Sequence, residues 1–423
     1  VEGDEDLEEQ PEVVEDSAKE DEFPALEDLP AAQGDEVEEW EQEEDQEISF
    51  INRKEFHLFG VVSVHNIPML DAIGRRNFIR MIPARGEMGA GHMADGYARA
   101  KNALGVVFTS TGPGAANAAG SIVEARFAGS PVLHFTGQTA TSNLDKNQGT
   151  VHDVYDQLGM LKSISKKAIR INNAQEALEK LINAVEIALT PPMGPVSIEI
   201  PIDVQRTSIE RPTALDQIKL PNINSEIGDM FSFDKMESII SSCNRKILWV
   251  GNGAKFAREQ VERFIEMGFA VVSSTLGRGV VPESYKMSLG AFNAVPLIED
   301  FYKTLDLMVV VGSRLRGHET RDMSLELPNN IIQIDIDPDA ENRTYQTNHF
   351  HCGDAKKVLD ELANRLSEKF VLEEKWANEV NDLKNNIVNE YKSTLGAYKN
   401  FPEIVRKVLP KDGRWVRDVT ISN

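Results

Sequence analysis

The sequence predicts an α/β fold: two successive parallel-sheet domains behind a disordered acidic tail. From Phe56 onward, short apolar runs ending in Gly, Pro or Ser alternate with helical patterns, the signature of a parallel sheet with helices on both faces. The same alternation restarts at Lys246, which predicts a second such sheet. The first 50 residues have no such texture. They hold 23 of the 68 acidic residues and one of the 45 basic residues, Lys19, so −22 of the net charge of −23 sits there.

In chain order, residues 1–55 read as an acidic tail that buries too little apolar surface to offset its ordering entropy. It reads as an interaction tail for basic partners, a solubilising tail, or an extension foreign to the folded body. Strands are predicted near 56–62, 105–110, 131–136 and 195–200, and helices near 86–101, 114–128 and 174–190. Residues 205–230, polar with Pro212 and Pro221, read as a linker. The second unit has strands at 246–251, 269–273, 306–312 and 331–336, with helices near 255–267 and 355–368. Residues 371–400 read as a charged helical connection. A further element opens at Pro402 and runs into the strand-like Arg414–Thr420.

Composition excludes several classes. From residue 51 onward 44 basic residues face 45 acidic ones, which leaves no electrostatic footprint for nucleic acid. Two cysteines, Cys243 and Cys352, exclude a disulfide scaffold and fit a reducing compartment. No apolar run approaches the roughly 20 residues of a membrane span. The acidic start is unlike a signal or transit peptide. A soluble cytoplasmic protein with no membrane or nucleic-acid partner is expected.

Three segments between residues 83 and 138 carry the chemistry. Pro83-Ala84-Arg85-Gly86-Glu87 leads into Met93-Ala94-Asp95-Gly96-Tyr97-Ala98-Arg99, with Glu87 in the first turn of a Gly- and Ala-rich helix. By itself Glu87 is equally a carboxylate favoured by the helix dipole, worth at most about 1 kcal/mol. Ser110-Thr111-Gly112-Pro113-Gly114-Ala115-Ala116-Asn117 ends a strand in a Gly-rich turn, whose unpaired N–H groups suit an anion or an acceptor-rich ring. Gln138 falls just past a strand, where ligands of open α/β sheets collect.

In this combination and order the three segments resemble the pyrimidine-binding domain of thiamine-diphosphate enzymes of the acetolactate synthase, pyruvate oxidase and benzoylformate decarboxylase superfamily. The resemblance implies a pyrimidine-binding domain over 56–210 and a Rossmann-like central domain over 230–370. Gly251-Asn252-Gly253, Gly312-Ser313-Arg314-Leu315 and Ile334-Asp335-Ile336-Asp337-Pro338 carry the second match. It further implies that Glu87 is catalytic, through a hydrogen bond to N1′ of the cofactor's aminopyrimidine. Loss of the thiazolium C2 proton then lets that carbon add to a 2-keto acid, and carbon dioxide leaves. Val62, Glu87, Thr111, Gly112, Pro113, Gly114 and Asn117 are the implied cofactor contacts, and His65, Gln138 and His152 the implied substrate-side residues. The family's active site lies between subunits, so a homodimer or homotetramer is expected.

The sequence departs from the family pattern in three places. Phe59-Gly60-Val61-Val62-Ser63 stands where relatives often have Phe-Gly-x-Pro-Gly, and acidic sequence stands where a helix usually precedes this strand. Residues 400–423 read as the first strand of a truncated diphosphate domain, whose Gly-Asp-Gly…Asn signature binds Mg²⁺. The chain is therefore expected to be incomplete for catalysis and to contain no metal ligands itself. His349-Phe350-His351-Cys352 is not read as a metal site, because strand alternation puts Cys352 opposite the histidines. Gly251 and Gly253, with Arg314 and Asp335, either contact an adenine nucleotide (FAD or ADP) or are ordinary sheet-edge residues. The activity implied is 2-keto acid decarboxylation with carboligation, as in acetolactate synthase. The alternatives are a 2-keto acid or oxalyl-CoA type decarboxylase, and a non-catalytic binding protein with an acidic interaction tail.

Overall fold

Apolar runs of four to seven residues, too short for helices and bounded by turn residues, build two sheets in which every pairing is parallel. The computed structural model describes residues 56–146, 148–218, 226–410 and 413. The acidic segment 1–55 and the strand-like run from Arg414 lie outside the described residues.

The first domain runs β1 (His57–Gly60), α1 (Ile67–Arg76), β2 (Arg80–Pro83), α2 (Glu87–Lys101), β3 (Gly105–Thr109), α3 (Pro113–Asn117) and α4 (Ala119–Ala128). It continues with β4 (Val132–Gln138), α5 (Gln157–Ile164), β5 (Lys167–Arg170), α6 (Ala177–Leu189), β6 (Val196–Pro201) and α7 (Ile202–Gln205). Its strands lie in the order β2-β1-β3-β4-β6-β5. The chain leaves β1 toward one edge for β2 and returns to the other side for β3, so strand order reverses between β1 and β3. A crevice opens at such a reversal, beyond the carboxyl ends of the strands.

Small residues let α2 lie close to its neighbours. Ala90, Ala94 and Ala98, one helical turn apart, pack with Ala118, Ile122 and Ala125 in one buried cluster. Asp95 and Arg99 pair along α2, with Nε of Arg99 2.8 Å from Oδ1 of Asp95 and 3.2 Å from Oγ of Ser130. The predicted helix 114–128 is two helices meeting at Ala118, the C-cap of α3 and the N-cap of α4.

The central domain contains α8 (Phe231–Ser241), β7 (Lys246–Val250), α9 (Arg258–Glu266), β8 (Phe269–Ser273), α10 (Pro296–Tyr302), β9 (Leu307–Val311), β10 (Ile331–Asp335), β11 (His349–Cys352) and α11 (Ala355–Leu366). Two further helices follow, α12 (Glu374–Thr394) and α13 (Phe401–Val408). The sheet order is β11-β10-β9-β7-β8, and every residue of β7 to β10 is buried, as expected of a parallel sheet covered on both faces. Trp249, Tyr302, Phe233, Phe264 and Phe269 are its largest fully buried side chains. Strand order reverses between β7 and β9. The element expected to open at Pro402 is the helix α13 as far as the described residues go.

Candidate cofactor site at the β1/β3 crevice

Glu87 is the first residue of α2, where unpaired helix N–H groups favour a carboxylate. It is half-buried and accepts a hydrogen bond from Nδ2 of Asn117 at 3.2 Å. Across from it stands the turn after β3. Gly112 has φ +56°, and a Cβ there would sit 2.3 Å from the His152 carbonyl oxygen. Gly114 is held nearly as close, since its Cβ would meet Cβ of Ser110 at 2.6 Å and Oε1 of Glu87 at 2.9 Å. The glycines thus make room for the Glu87 carboxyl and for the His152 loop.

The expectation that the turn's N–H groups are unpaired needs correction. The N–H of Gly112 donates to Oε1 of Gln157 at 2.7 Å, that of Gly114 to the Thr111 carbonyl at 3.2 Å, and Pro113 has none. The turn offers a ligand shape and carbonyl edges, with its Gly donors already used internally.

Asn66 ties the β1 side to the β3 side. Fully buried, it donates from Nδ2 to the carbonyls of Val61 (2.9 Å) and Thr109 (3.1 Å) and accepts from Ser63 N at 2.9 Å. Oγ of Ser63 lies 2.7 Å from Oγ of Ser110. Val62, in the same loop, is 57% exposed at the mouth of the crevice. His65 and His152 place their ring centroids 5.6 Å apart. Burial first, and the neighbouring His152 second, hold the His65 imidazole below its ordinary pKa. Nδ1 of His65, Oγ1 of Thr150 and Oδ2 of Asp153 are buried without a hydrogen-bond partner in the protein, and each such group calls for an explanation. Gln138 is buried, with its Oε1 accepting from Thr139 N at 2.8 Å.

A model of the thiamine pyrophosphate enzyme N-terminal TPP binding domain matches residues 54–160, and one of the central domain of these enzymes matches residues 233–362. The chain belongs to the thiamine pyrophosphate enzymes. It is 30% identical over 337 residues to a probable acetolactate synthase large subunit of Methanocaldococcus jannaschii, covering 77% of this chain and 56% of the relative. The acetolactate synthase large subunit of Haemophilus influenzae is 29% identical over 355 residues, covering 81% and 61%. A probable 2-ketoarginine decarboxylase of Pseudomonas aeruginosa is 27% identical over 313 residues, covering 74% and 56%. The chain thus spans about six tenths of the length of the curated relatives it matches.

The residues fit the family's cofactor. A carboxyl at a helix start faces a cradle that a Cβ would fill, and orphaned polar atoms stand beside it. The described residues include no group of three or more His, Cys, Asp and Glu that could hold a metal ion. Among them no helix is long and apolar enough to cross a membrane.

The central domain has its own crevice at the β7/β9 reversal. There Gly253 N–H donates to the Gly312 carbonyl at 3.0 Å, and Gly251 N–H to the Val311 carbonyl at 2.8 Å. A cavity of about 270 Å³ opens beside them, lined by Gly253, Phe256, Arg314, Arg316, Asp335 and Ala128. Burial raises the Asp335 carboxyl above its usual range. Arg314 and Arg316 both donate to the Phe127 carbonyl at the end of α4, at 3.2 and 2.8 Å, and the Arg316 guanidinium lies 3.8 Å from the Phe127 ring centre. The arginines thus join the two domains across the cavity. Sequence reasoning missed this role, along with Asn66, Gln157 and Glu199.

Proposed function

We propose that the chain provides the pyrimidine-binding side of a thiamine-diphosphate-dependent enzyme that decarboxylates a 2-keto acid and passes the remaining acyl unit to a second carbonyl, as acetolactate synthase does. Residues 56–210 form the pyrimidine-binding domain and 230–370 the central domain. One observation carries the reading: Glu87 is held at the start of α2 directly against the glycine turn Gly112–Gly114. Bound thiamine diphosphate supplies a thiazolium that accepts the electrons released with carbon dioxide. Glu87 hydrogen-bonds N1′ of the aminopyrimidine and controls the proton there. Thr111, Gly112, Pro113, Gly114 and Asn117 shape the ring's seat, and Val62 closes it from the β1 side. His65, Gln138 and His152 orient the keto acid.

Exposed apolar side chains beside the site, Met88 and Met93 on α2 and Val123 on α4, support closure by a second copy of the chain in a homodimer or homotetramer. Mg²⁺ is proposed to accompany the diphosphate. Two unpaired cysteines agree with a reducing cytoplasm. The relative that is a probable 2-ketoarginine decarboxylase supports a second reading, decarboxylation without carboligation. The ratio of condensed product to free aldehyde separates the two.

In protein loaded with thiamine diphosphate and Mg²⁺, Glu87→Gln slows exchange of the C2 proton for deuterium by roughly 10²–10⁴-fold, the scale for losing one positioned proton-transfer group. An unchanged rate would leave Glu87 as a helix-terminal carboxylate. The β7/β9 cavity is proposed to take the adenine nucleotide of FAD or ADP, on the strength of its place at a reversal of strand order. Calorimetry with either ligand tests it, and no heat at millimolar concentration disposes of it.

A further inference from the structure

Behind the cofactor turn lies a buried polar relay with a fixed direction. Oε1 of Gln157 accepts the Gly112 N–H at 2.7 Å and lies 3.0 Å from Oγ1 of Thr111. Its other end, Nε2, donates to Oε2 of Glu199 at 3.0 Å and to the Gly137 carbonyl at 3.2 Å. Nε2 of Gln138 is 3.4 Å from the same Glu199 oxygen. The second oxygen of Glu199 accepts from Nε of Arg170, and Arg170 donates onward to Asp145 at 2.6 Å. Glu199 is fully buried on β6, and Gln157 is 1% exposed at the start of α5.

A glutamine amide can present either end, and its neighbours decide which. Gly112 N–H can only donate, and an ionised Glu199 can only accept. Arg170 is a permanent cation with donors only, and it pairs with the other Glu199 oxygen. We propose that Glu199 is a positioning residue for the cofactor turn: by accepting from Nε2 of Gln157 it fixes the amide with Oε1 toward Gly112, and so holds the Gly112–Gly114 turn against Glu87. The inference rests on the cofactor reading only in saying what the turn is held for. The isosteric change Glu199→Gln sets donor against donor. Arg170 claims the new amide's oxygen, and its NH₂ faces Nε2 of Gln157, which the Gly137 carbonyl alone then holds. The Gln157 side chain is pushed from its place, and the bond from Gly112 N–H to Oε1 weakens.

The test compares hydrogen exchange of the Gly112 amide with that of Val107, in the buried middle of β3, which reports opening of the domain as a whole. In Glu199→Gln, Gly112 exchange rises at least tenfold more than Val107 exchange. Gln157→Met, which leaves the Arg170–Glu199 pair in place, gives the same selective rise and keeps the test alive if Glu199→Gln does not fold. Thiamine diphosphate affinity falls about tenfold in each variant. Gly112 and Val107 rising together in both variants, or neither rising, overturns the proposal and leaves Glu199 as the partner of Arg170 alone. If the unsubstituted protein binds no thiamine diphosphate while the selective rise is seen, the cofactor reading fails and the positioning relay stands.

Discussion

The two sheets put their crevices at the same topological address, the reversal of strand order, and fill them differently. At β1/β3 the crevice presents a half-buried carboxylate, a turn stripped of Cβ atoms and several buried polar atoms without partners. At β7/β9 the two glycine segments bond to each other, and the nearby arginines reach across to the Phe127 carbonyl. Both sheets bury polar side chains, His134 and Glu199 in the first and Lys246, Gln333 and His351 in the second, although β9 is wholly apolar, Leu-Met-Val-Val-Val. Topology therefore supplies an address, and the chemistry comes from what the side chains leave unfinished there.

The sharpest way to break the contrast is to close the first crevice from within. Gly114→Ala puts a methyl 2.9 Å from Oε1 of Glu87 and 2.6 Å from Cβ of Ser110. It should cost about 1–3 kcal/mol of stability through overpacking and slow C2 exchange by roughly 10²-fold. Thermal melting and deuterium exchange of the loaded protein separate the two effects. Full C2 exchange in this variant would show that the closeness of turn and carboxylate does not matter.

The buried polar interior predicts a difference in acid stability. His134 bridges Thr109 (3.0 Å) and Ser197 (2.9 Å), and burial pushes its pKa down to about 4. The folded protein refuses a proton that the unfolded chain accepts near pH 6.5. Stability from this group is therefore complete above pH 6.5 and lost as pH falls toward 4, by on the order of 3 kcal/mol. Denaturant titrations over that range should show a slope that His134→Gln removes. A slope unchanged by the substitution would move the acid sensitivity elsewhere.

The smallest effect belongs to the second crevice. Arg316→Ala removes one hydrogen bond and one cation–π contact to Phe127, together about 1 kcal/mol. It should leave C2 exchange within twofold. A larger loss of exchange would mean that the domain junction shapes the cofactor site.

How much of this was legible in the sequence follows the same physics. β1, β3, β4, β6 and β7 to β10 were visible because buried parallel strands read as apolar runs, whereas β11, His349–Cys352, was not among the predicted strands. The short edge strands β2 and β5 escaped: Arg80-Met81-Ile82-Pro83 and Lys167-Ala168-Ile169-Arg170 are half-polar and half-exposed. α1, α5, α8 and α10 escaped too, most being only a few turns long between polar loops. At the site, Glu87 and the glycine turn were legible as a motif. Gln157 and Glu199 were not, because an isolated polar residue has no period. Glu199 even lies in an alternating Val-Ser-Ile-Glu-Ile run that suggests one solvent-facing side, yet all of β6 is buried. Its polar face is satisfied by residues distant in sequence, Arg170 and Gln157 for Glu199 and His134 and Ser165 for Ser197.

The central claim is that Glu87 touches N1′ of the cofactor's aminopyrimidine, and ¹⁵N NMR of thiamine diphosphate labelled at N1′ reads that contact without any turnover. In the loaded protein the N1′ resonance should move upfield from its free position, as hydrogen bonding or protonation at a ring nitrogen requires. In Glu87→Gln it should return most of the way while the cofactor stays bound. An N1′ resonance at the same position in both proteins would contradict the account and detach Glu87 from the cofactor.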